Sequence, residues 1–372
     1  MKQFGITPKI LQFEQCQEFC EHFQIGKGDL VFISDRTNED YFKDKIGDDA
    51  ICINYRKYVK GEPTDVMVEK IYADIKDFSY NRVFGIGGGT ILDVAKLFAL
   101  KNIVPVVDLF NKEFEIIKEK ELILIPTTCG TGSEVTNISI LELTAIHSKF
   151  GLAVDELYAD YAVLVPELLN NLPMSVFATS SIDALIHAIE SYTSPKANAF
   201  TQLYSLKAME IILAGYQKIA QNGNEARQPL LKDFMIASTF AGIAFGNAGC
   251  AAVHAMSYPL GAVYHVPHGE ANYVMFTEVY KTYQAINPDG AIKKLNGFLA
   301  DILGCDANDV YNQIENLLNH IITKKALHEY GVTESDLVDF TEAVMTKQAR
   351  LMANNYVPLS REQVLAIYKK LF

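Results

Sequence analysis

Short apolar or β-branched runs punctuate the first half of the chain: Leu30–Ser34, Ala50–Ile53, Arg82–Ile86 and Leu122–Ile125. Their lengths and flanks predict strands. Between the second and third, Asp65 to Phe78 places Val66, Val68, Ile71 and Ile75 at roughly helical spacing, which predicts an amphipathic helix. Strands separated by helices make a largely parallel, doubly wound sheet. Ligands of such sheets collect at the carboxyl ends of the strands. From about Leu172 the strand pattern fades. Pro173 opens a region of long helical patterns over Ser180–Tyr192, Phe200–Ile219 and Pro229–Phe245, with further helices to the C-terminus. The expected organisation is an α/β domain over 1–172 and an all-helical domain over 173–372.

One stretch stands apart. From Phe234 to Gly269 there is no Asp, Glu, Lys or Arg. A membrane-spanning helix needs roughly 20 predominantly apolar residues, but this run carries Asn247, His254, Tyr258, Pro259, Tyr264, His265, Pro267 and His268. Those polar groups would be unsatisfied in lipid, so the run reads as buried core. Buried imidazoles need partners, which makes its histidines candidates for chemistry.

Charge narrows the partners. With 33 basic and 45 acidic residues the 372-residue chain has a net charge of −12. Nucleic-acid polymers require clustered Lys and Arg, and anionic membrane surfaces attract the same residues; both are excluded as main partners, leaving a small ligand. The six cysteines form no disulfide framework in a chain this long. Cys16 and Cys20 lie four apart without a second Cys or His pair nearby, so ordinary reduced thiols are expected. No apolar leader follows Met1, and a cytoplasmic protein is expected.

Four groups of residues could carry chemistry. Arg82 to Gly87 runs as a strand into Gly88, Gly89 and Thr90 and then a helical pattern containing Asp93. Glycines there allow close backbone approach, and free N–H groups at the helix start attract phosphate; a tight strand–helix turn is the alternative. Pro126 to Glu134 follows the next strand with Thr127, Thr128, Thr131 and Ser133 among glycines, either a ligand loop or a Gly/Thr turn. Asp35 follows Leu30–Ser34; a carboxylate there could accept from a ribose or cap a helix. Asp183 and His187 are four apart and share a helix face. With His254 and His268 from the charge-free run they make three imidazoles and one carboxylate, a donor set for a divalent transition metal, iron or zinc foremost.

Taken together, Gly87-Gly88-Gly89-Thr90 with Asp93, the Pro126–Glu134 loop, Asp183-Ala184-Leu185-Ile186-His187-Ala188, Pro267-His268-Gly269 and Asn354-Asn355-Tyr356 with Pro358 resemble the iron-containing (group III) alcohol dehydrogenases over essentially the whole chain. The resemblance implies the fold shared with dehydroquinate synthase and glycerol dehydrogenase: a Rossmann-like N-terminal domain and an all-helical C-terminal domain. It implies Asp183, His187, His254 and His268 as ligands of Fe2+ or Zn2+. It also implies NAD held by Gly87, Gly88, Gly89 and Thr90, lined by Thr127, Thr128 and Thr131, with Asp35 at the ribose and Lys149 in the same site. The implied reaction is hydride transfer between NAD and a short primary alcohol, 4-hydroxybutyrate first, with butanol, 1,3-propanediol and lactaldehyde as alternatives, in a homo-oligomer. A dehydroquinate synthase-like lyase is the rival, but it needs several basic residues for a phosphorylated substrate and the charge-free run has none. Tyr258 stands where many members carry a second histidine, so Tyr258 and His265 are the candidates for the proton path. Glu62 before Pro63, and Pro166-Glu167, are further departures.

Overall fold

Residues 3–58, 63–146 and 148–372 are described by a computed structural model. Glu62 lies outside them. The chain divides into two compact units, Ile6–Leu172 and Pro173–Phe372, the latter including residues 3–5. Gly5 is tied there by mutual hydrogen bonds with the Asn247 side chain (2.9 and 3.0 Å).

The first unit is built on β1 (Lys9–Gln12), β2 (Asp29–Ile33), β3 (Ile51–Ile53), β4 (Arg82–Gly87), β5 (Glu121–Pro126) and β8 (Tyr161–Leu164), in the order β1-β8-β5-β4-β2-β3. Every neighbouring pair is parallel. Side chains alternate across a strand, and here both faces are covered. Leu30, Phe32, Val83, Leu122 and Leu124 pack in one core with residues of α2 (Asp65–Ile75) and α3 (Gly89–Phe98). Val31, Ile33, Phe84, Ile86, Ile123 and Ile125 pack in the other with Phe19 and Phe23 of α1 (Cys16–Phe23). Burial on both sides is why these strands read as unbroken apolar runs. An antiparallel ribbon of β6 (Ile138–Leu143) and β7 (Ser148–Ala153) completes the unit.

Cys16 and Cys20 are buried in the second of these cores. The Cys16 N–H donates to Glu167 Oε2 (2.6 Å), so the carboxylate of Pro166-Glu167 serves the start of α1.

The second unit is helical: α4 (Met174–Thr193), α5 (Ala199–Asn222), α6 (Leu231–Ala248), α7 (Ala252–Tyr264), α8 (His268–Ile286), α9 (Gly290–Leu303), α10 (Val310–Leu318), α11 (Glu334–Lys347) and α12 (Arg361–Leu371), with short turns between. α4 packs against α5, α6 and α8, and from Ser181 to Thr193 every residue is buried. The charge-free run folds as α6 and α7, which meet at 105°, then the start of α8. Gly249 makes the bend in the left-handed region at φ +78. Among the described residues no single helix is long and apolar enough to cross a membrane.

Candidate metal centre and cofactor loops

Three helices bring the four expected donors together. Asp183 and His187 lie one turn apart on α4, His254 is near the start of α7, and His268 is the first residue of α8. Asp183 Oδ1 is 3.5 Å from His254 Nε2 and 3.7 Å from His268 Nε2, and Asp183 Oδ2 is 3.9 Å from His187 Nδ1. The His187 ring lies between Phe245 (centroids 4.1 Å) and His254 (4.6 Å). Asp183, His187 and His254 are 3–5% exposed.

The approach of α8 to α4 depends on Gly269. A Cβ there would lie 1.9 Å from the Thr179 carbonyl oxygen, so only glycine lets the start of α8, and with it His268, come this close.

Glu190, one turn after His187, is fully buried. Its carboxylate accepts from Ala251 N (3.1 Å), Val253 N (2.7 Å) and His254 Nδ1 (2.6 Å). It thus satisfies N–H groups at the start of α7, which no helical carbonyl can reach. Since the carboxylate only accepts, it fixes the His254 proton on Nδ1 and leaves Nε2 for a metal. Asn272 Nδ2 donates to Asp183 Oδ1 (2.7 Å) and lies 3.2 Å from His268 Nε2.

Among the described residues, His187 Nδ1 and His254 Nε2 are buried without a hydrogen-bond partner. Orphaned imidazole nitrogens facing a carboxylate are what a bound cation would satisfy, so the residues fit a metal. Electrostatics agree. Burial would raise the Asp183 carboxyl, but the facing imidazoles, His187 foremost, hold it well below the usual carboxylate range. Burial opposes charge on His254, yet Cys250, Glu190 and Asp183 push its pKa well above the ordinary value. A metal therefore displaces protons on entry. Cys250 is a surprise: its sulfur and the nearest nitrogens of His187 and His254 lie within 4.8 Å of one another.

Tyr258, one turn after His254, sets its ring 5.9 Å from that of His268. Burial raises its pKa. His265 does not accompany it. It is exposed at the far end of α7 with φ +55, roughly 16 Å along the helix from His254 at the usual rise per residue.

In the first unit the two glycine loops lie side by side, because β4 and β5 are neighbours with Gly87 opposite Pro126. Thr127 N donates to the Gly87 carbonyl (2.9 Å). A Cβ on Gly89 would lie 2.6 Å from the Thr131 side chain, and one on Gly88 3.4 Å from Thr128. Thr90, Thr127, Thr128 and Thr131 are all part-exposed beside this contact. The glycines thus serve close packing between the loops, and Gly88 is the N-cap of α3.

Beneath them Lys96, fully buried, donates to Ser133 Oγ (2.7 Å), Ile138 O (2.6 Å) and Asp93 Oδ1 (3.3 Å). Asp93 also accepts from Ser133 Oγ (2.5 Å) and Ile140 N (3.0 Å). This network clamps α3, the second loop and β6 together. Asp35 is exposed at the carboxyl end of β2; the capping role belongs to Ser34, which accepts from Thr37 N (3.1 Å). Lys149 stands on the ribbon opposite Glu142.

Both halves of the chain match family descriptions: "Iron-containing alcohol dehydrogenase" over residues 11–166 and "Fe-containing alcohol dehydrogenase family, C-terminal" over residues 177–372. The chain belongs to the iron-containing alcohol dehydrogenase family. It is 49% identical over 375 residues to 4-hydroxybutyrate dehydrogenase of Clostridium kluyveri, with all of both chains covered. It is 35% identical to long-chain-alcohol dehydrogenase 1 of Geobacillus thermodenitrificans, over 84% of this chain and 80% of that one. Among solved structures, sulfoacetaldehyde reductase from Bifidobacterium kashiwanohense in complex with NAD+ superposes with a TM-score of 0.86 at 22% identity, covering 100% of this chain and 98% of that one. This similarity shows the shared fold.

Proposed function

We propose that the protein interconverts 4-hydroxybutyrate and succinate semialdehyde with NAD, using a divalent iron or zinc ion held by Asp183, His187, His254 and His268. The observation that carries the dehydrogenase reading is the convergence of three imidazoles on the buried Asp183 carboxylate. The choice of substrate is supported by full-length similarity to the Clostridium kluyveri enzyme. When bound, the metal supplies Lewis acidity toward the substrate oxygen and the nicotinamide carries the hydride.

The chain's own residues do the rest. Glu190 orients His254, and Asn272 holds Asp183. Tyr258, kept protonated by burial, is placed to donate toward the substrate oxygen and takes precedence over the exposed His265 in the proton path. Gly87, Gly88, Gly89 and Thr90 offer backbone N–H groups to the pyrophosphate, Thr127, Thr128 and Thr131 line the cofactor, and Asp35 stands at the strand end where a ribose would be met. Lys149 is assigned to the same site. The same reading makes the protein a homo-oligomer of the cytoplasm, where its six free thiols stay reduced.

The test is turnover by the metal-loaded enzyme. NADH oxidation with succinate semialdehyde, and NAD reduction with 4-hydroxybutyrate, should proceed with kcat/KM above that for butanal and butanol. His268→Ala should lose both turnover and bound metal, measured by elemental analysis. Full turnover by a metal-depleted His268→Ala protein contradicts the assignment, and redox-neutral consumption of substrate would favour a lyase.

A further inference from the structure

Two sets of donors meet on His254. Asp183, His254 and His268 offer ligand atoms that lie within 4.8 Å of one another, and so do His187, Cys250 and His254. The first set is a carboxylate with two imidazoles. The second replaces the carboxylate by a sulfur, and all three of its residues are buried. Within it, His187 Nδ1 and His254 Nε2 have no hydrogen-bond partner among the described residues. Each ring thus keeps a buried nitrogen to offer beside a thiol that the proposed reaction does not use.

The sulfur is held in a fixed frame. Gly249 turns the chain just ahead of it at φ +78. The Cys250 carbonyl accepts from Asn354 Nδ2 (3.1 Å), and the next N–H, that of Ala251, donates to Glu190 Oε2 (3.1 Å). Asn354 is held in turn by Ser194 Oγ, which donates to Asn354 Oδ1 (3.0 Å). Cys250 is therefore tied on both sides to α4, which carries His187, and to the residue that ends that helix.

The two sets cannot be filled together. His254 Nδ1 is engaged by the Glu190 carboxylate (2.6 Å), so Nε2 is the one nitrogen this ring has for a metal, and one lone pair binds one ion. Softness separates the sets chemically. Carboxylate and imidazole suit divalent iron, whereas a thiolate selects softer ions.

We propose that His187, Cys250 and His254 form a second metal position, selective for thiophilic ions such as cadmium or cuprous copper, whose filling withdraws His187 and His254 from the centre that serves the reaction. This rests on reading Asp183, His187, His254 and His268 as a metal centre, and not on the choice of substrate. A thiophilic ion then inhibits by displacing the working ion rather than by joining it.

The test adds cadmium anaerobically to the iron-loaded full-length protein, in a Cys52→Ser/Cys305→Ser background that removes the two thiols outside the buried interior. A sulfur-to-cadmium charge-transfer band should grow in the ultraviolet and saturate at one cadmium per chain, with an equal loss of iron by elemental analysis. Cys250→Ser in the same background should lose the band and still bind iron, with its fold checked by circular dichroism and Tm. Cadmium NMR of the parent reads the sulfur without any change at position 250, because a thiolate donor moves the resonance downfield of that for nitrogen and oxygen donors alone. A band that survives Cys250→Ser, or cadmium bound without sulfur in the NMR spectrum, overturns the assignment of Cys250 and leaves the metal centre standing. Iron retained beside sulfur-bound cadmium overturns the exclusion. If the protein takes up neither iron nor cadmium, the metal reading itself fails and the second position falls with it.

Discussion

A carboxylate with no exposed surface, Glu190, decides how His254 presents itself. The four donors were legible in the sequence because two of them share a helical spacing and two sit in a run stripped of charge. Glu190 was not. A glutamate three residues after His187 reads like any solvated helix position, and its partners Ala251 and His254 are 61 and 64 residues away. Only the bend at Gly249 delivers them. Cys250 and Lys96 escaped for the same reason, since nothing local marks a thiol or an ammonium whose neighbours come from another element. Conversely His265 looked eligible by sharing the run with His254, and a helix length separates them. Replacing Glu190 by Gln keeps the size and removes the charge. Outer partners of metal-bound histidines are typically worth 10- to 100-fold in affinity, so Glu190→Gln should weaken metal binding by about that much in competition with a chromogenic chelator. Unchanged affinity would reduce Glu190 to a helix cap.

Elements recognised from their pattern, such as β2, β4, β5 and α4, are those buried on most sides, where hydrophobicity alone sets the boundaries. The missed ones are shallower. β1 is largely exposed along its length, so its residues carry no inward–outward period. The ribbon's first strand does alternate from Ile138 to Leu143, but its pairing with β7 is a long-range fact. Between helices, the contact of α8 with α10 carries a titratable clamp. Lys324 Nζ donates to Glu315 Oε2 and to Thr277 Oγ1 (both 2.8 Å), and Thr277 Oγ1 donates to the same carboxylate. Burial would raise the Glu315 carboxyl, yet Lys324 and Thr277 hold it below its ordinary 4.5. A carboxyl depressed in the folded state stabilises above the unfolded value, and that contribution is lost as pH falls through the folded one. Thermal melts should therefore show wild type losing more stability than Glu315→Gln below about pH 4.5, and parallel curves would show that the clamp contributes nothing.

At the scale of the whole molecule, the two compact units divide the labour: all four proposed metal donors belong to the helical one, and both glycine loops belong to the sheet. Metal bound only by the folded state adds about 4 kcal/mol at a thousandfold excess over Kd. Chelation should accordingly lower the Tm, and hydrogen exchange should locate the loss of protection in α4 and α7 while β4 and β5 keep theirs. Equal loss in both would mean that the metal supports the entire chain. The uncharged run from Phe234 to Gly269 has a consequence of another kind. Charged residues flanking and interrupting apolar stretches act as gatekeepers against intermolecular association during folding, and this stretch has none inside it. Its protection in the nascent chain is left to Pro259, Pro267 and its glycines, and afterwards to burial against α4. A stretch of thirty-six residues that reads as core in the folded chain is therefore, before it is buried, a stretch without internal charge to oppose intermolecular association.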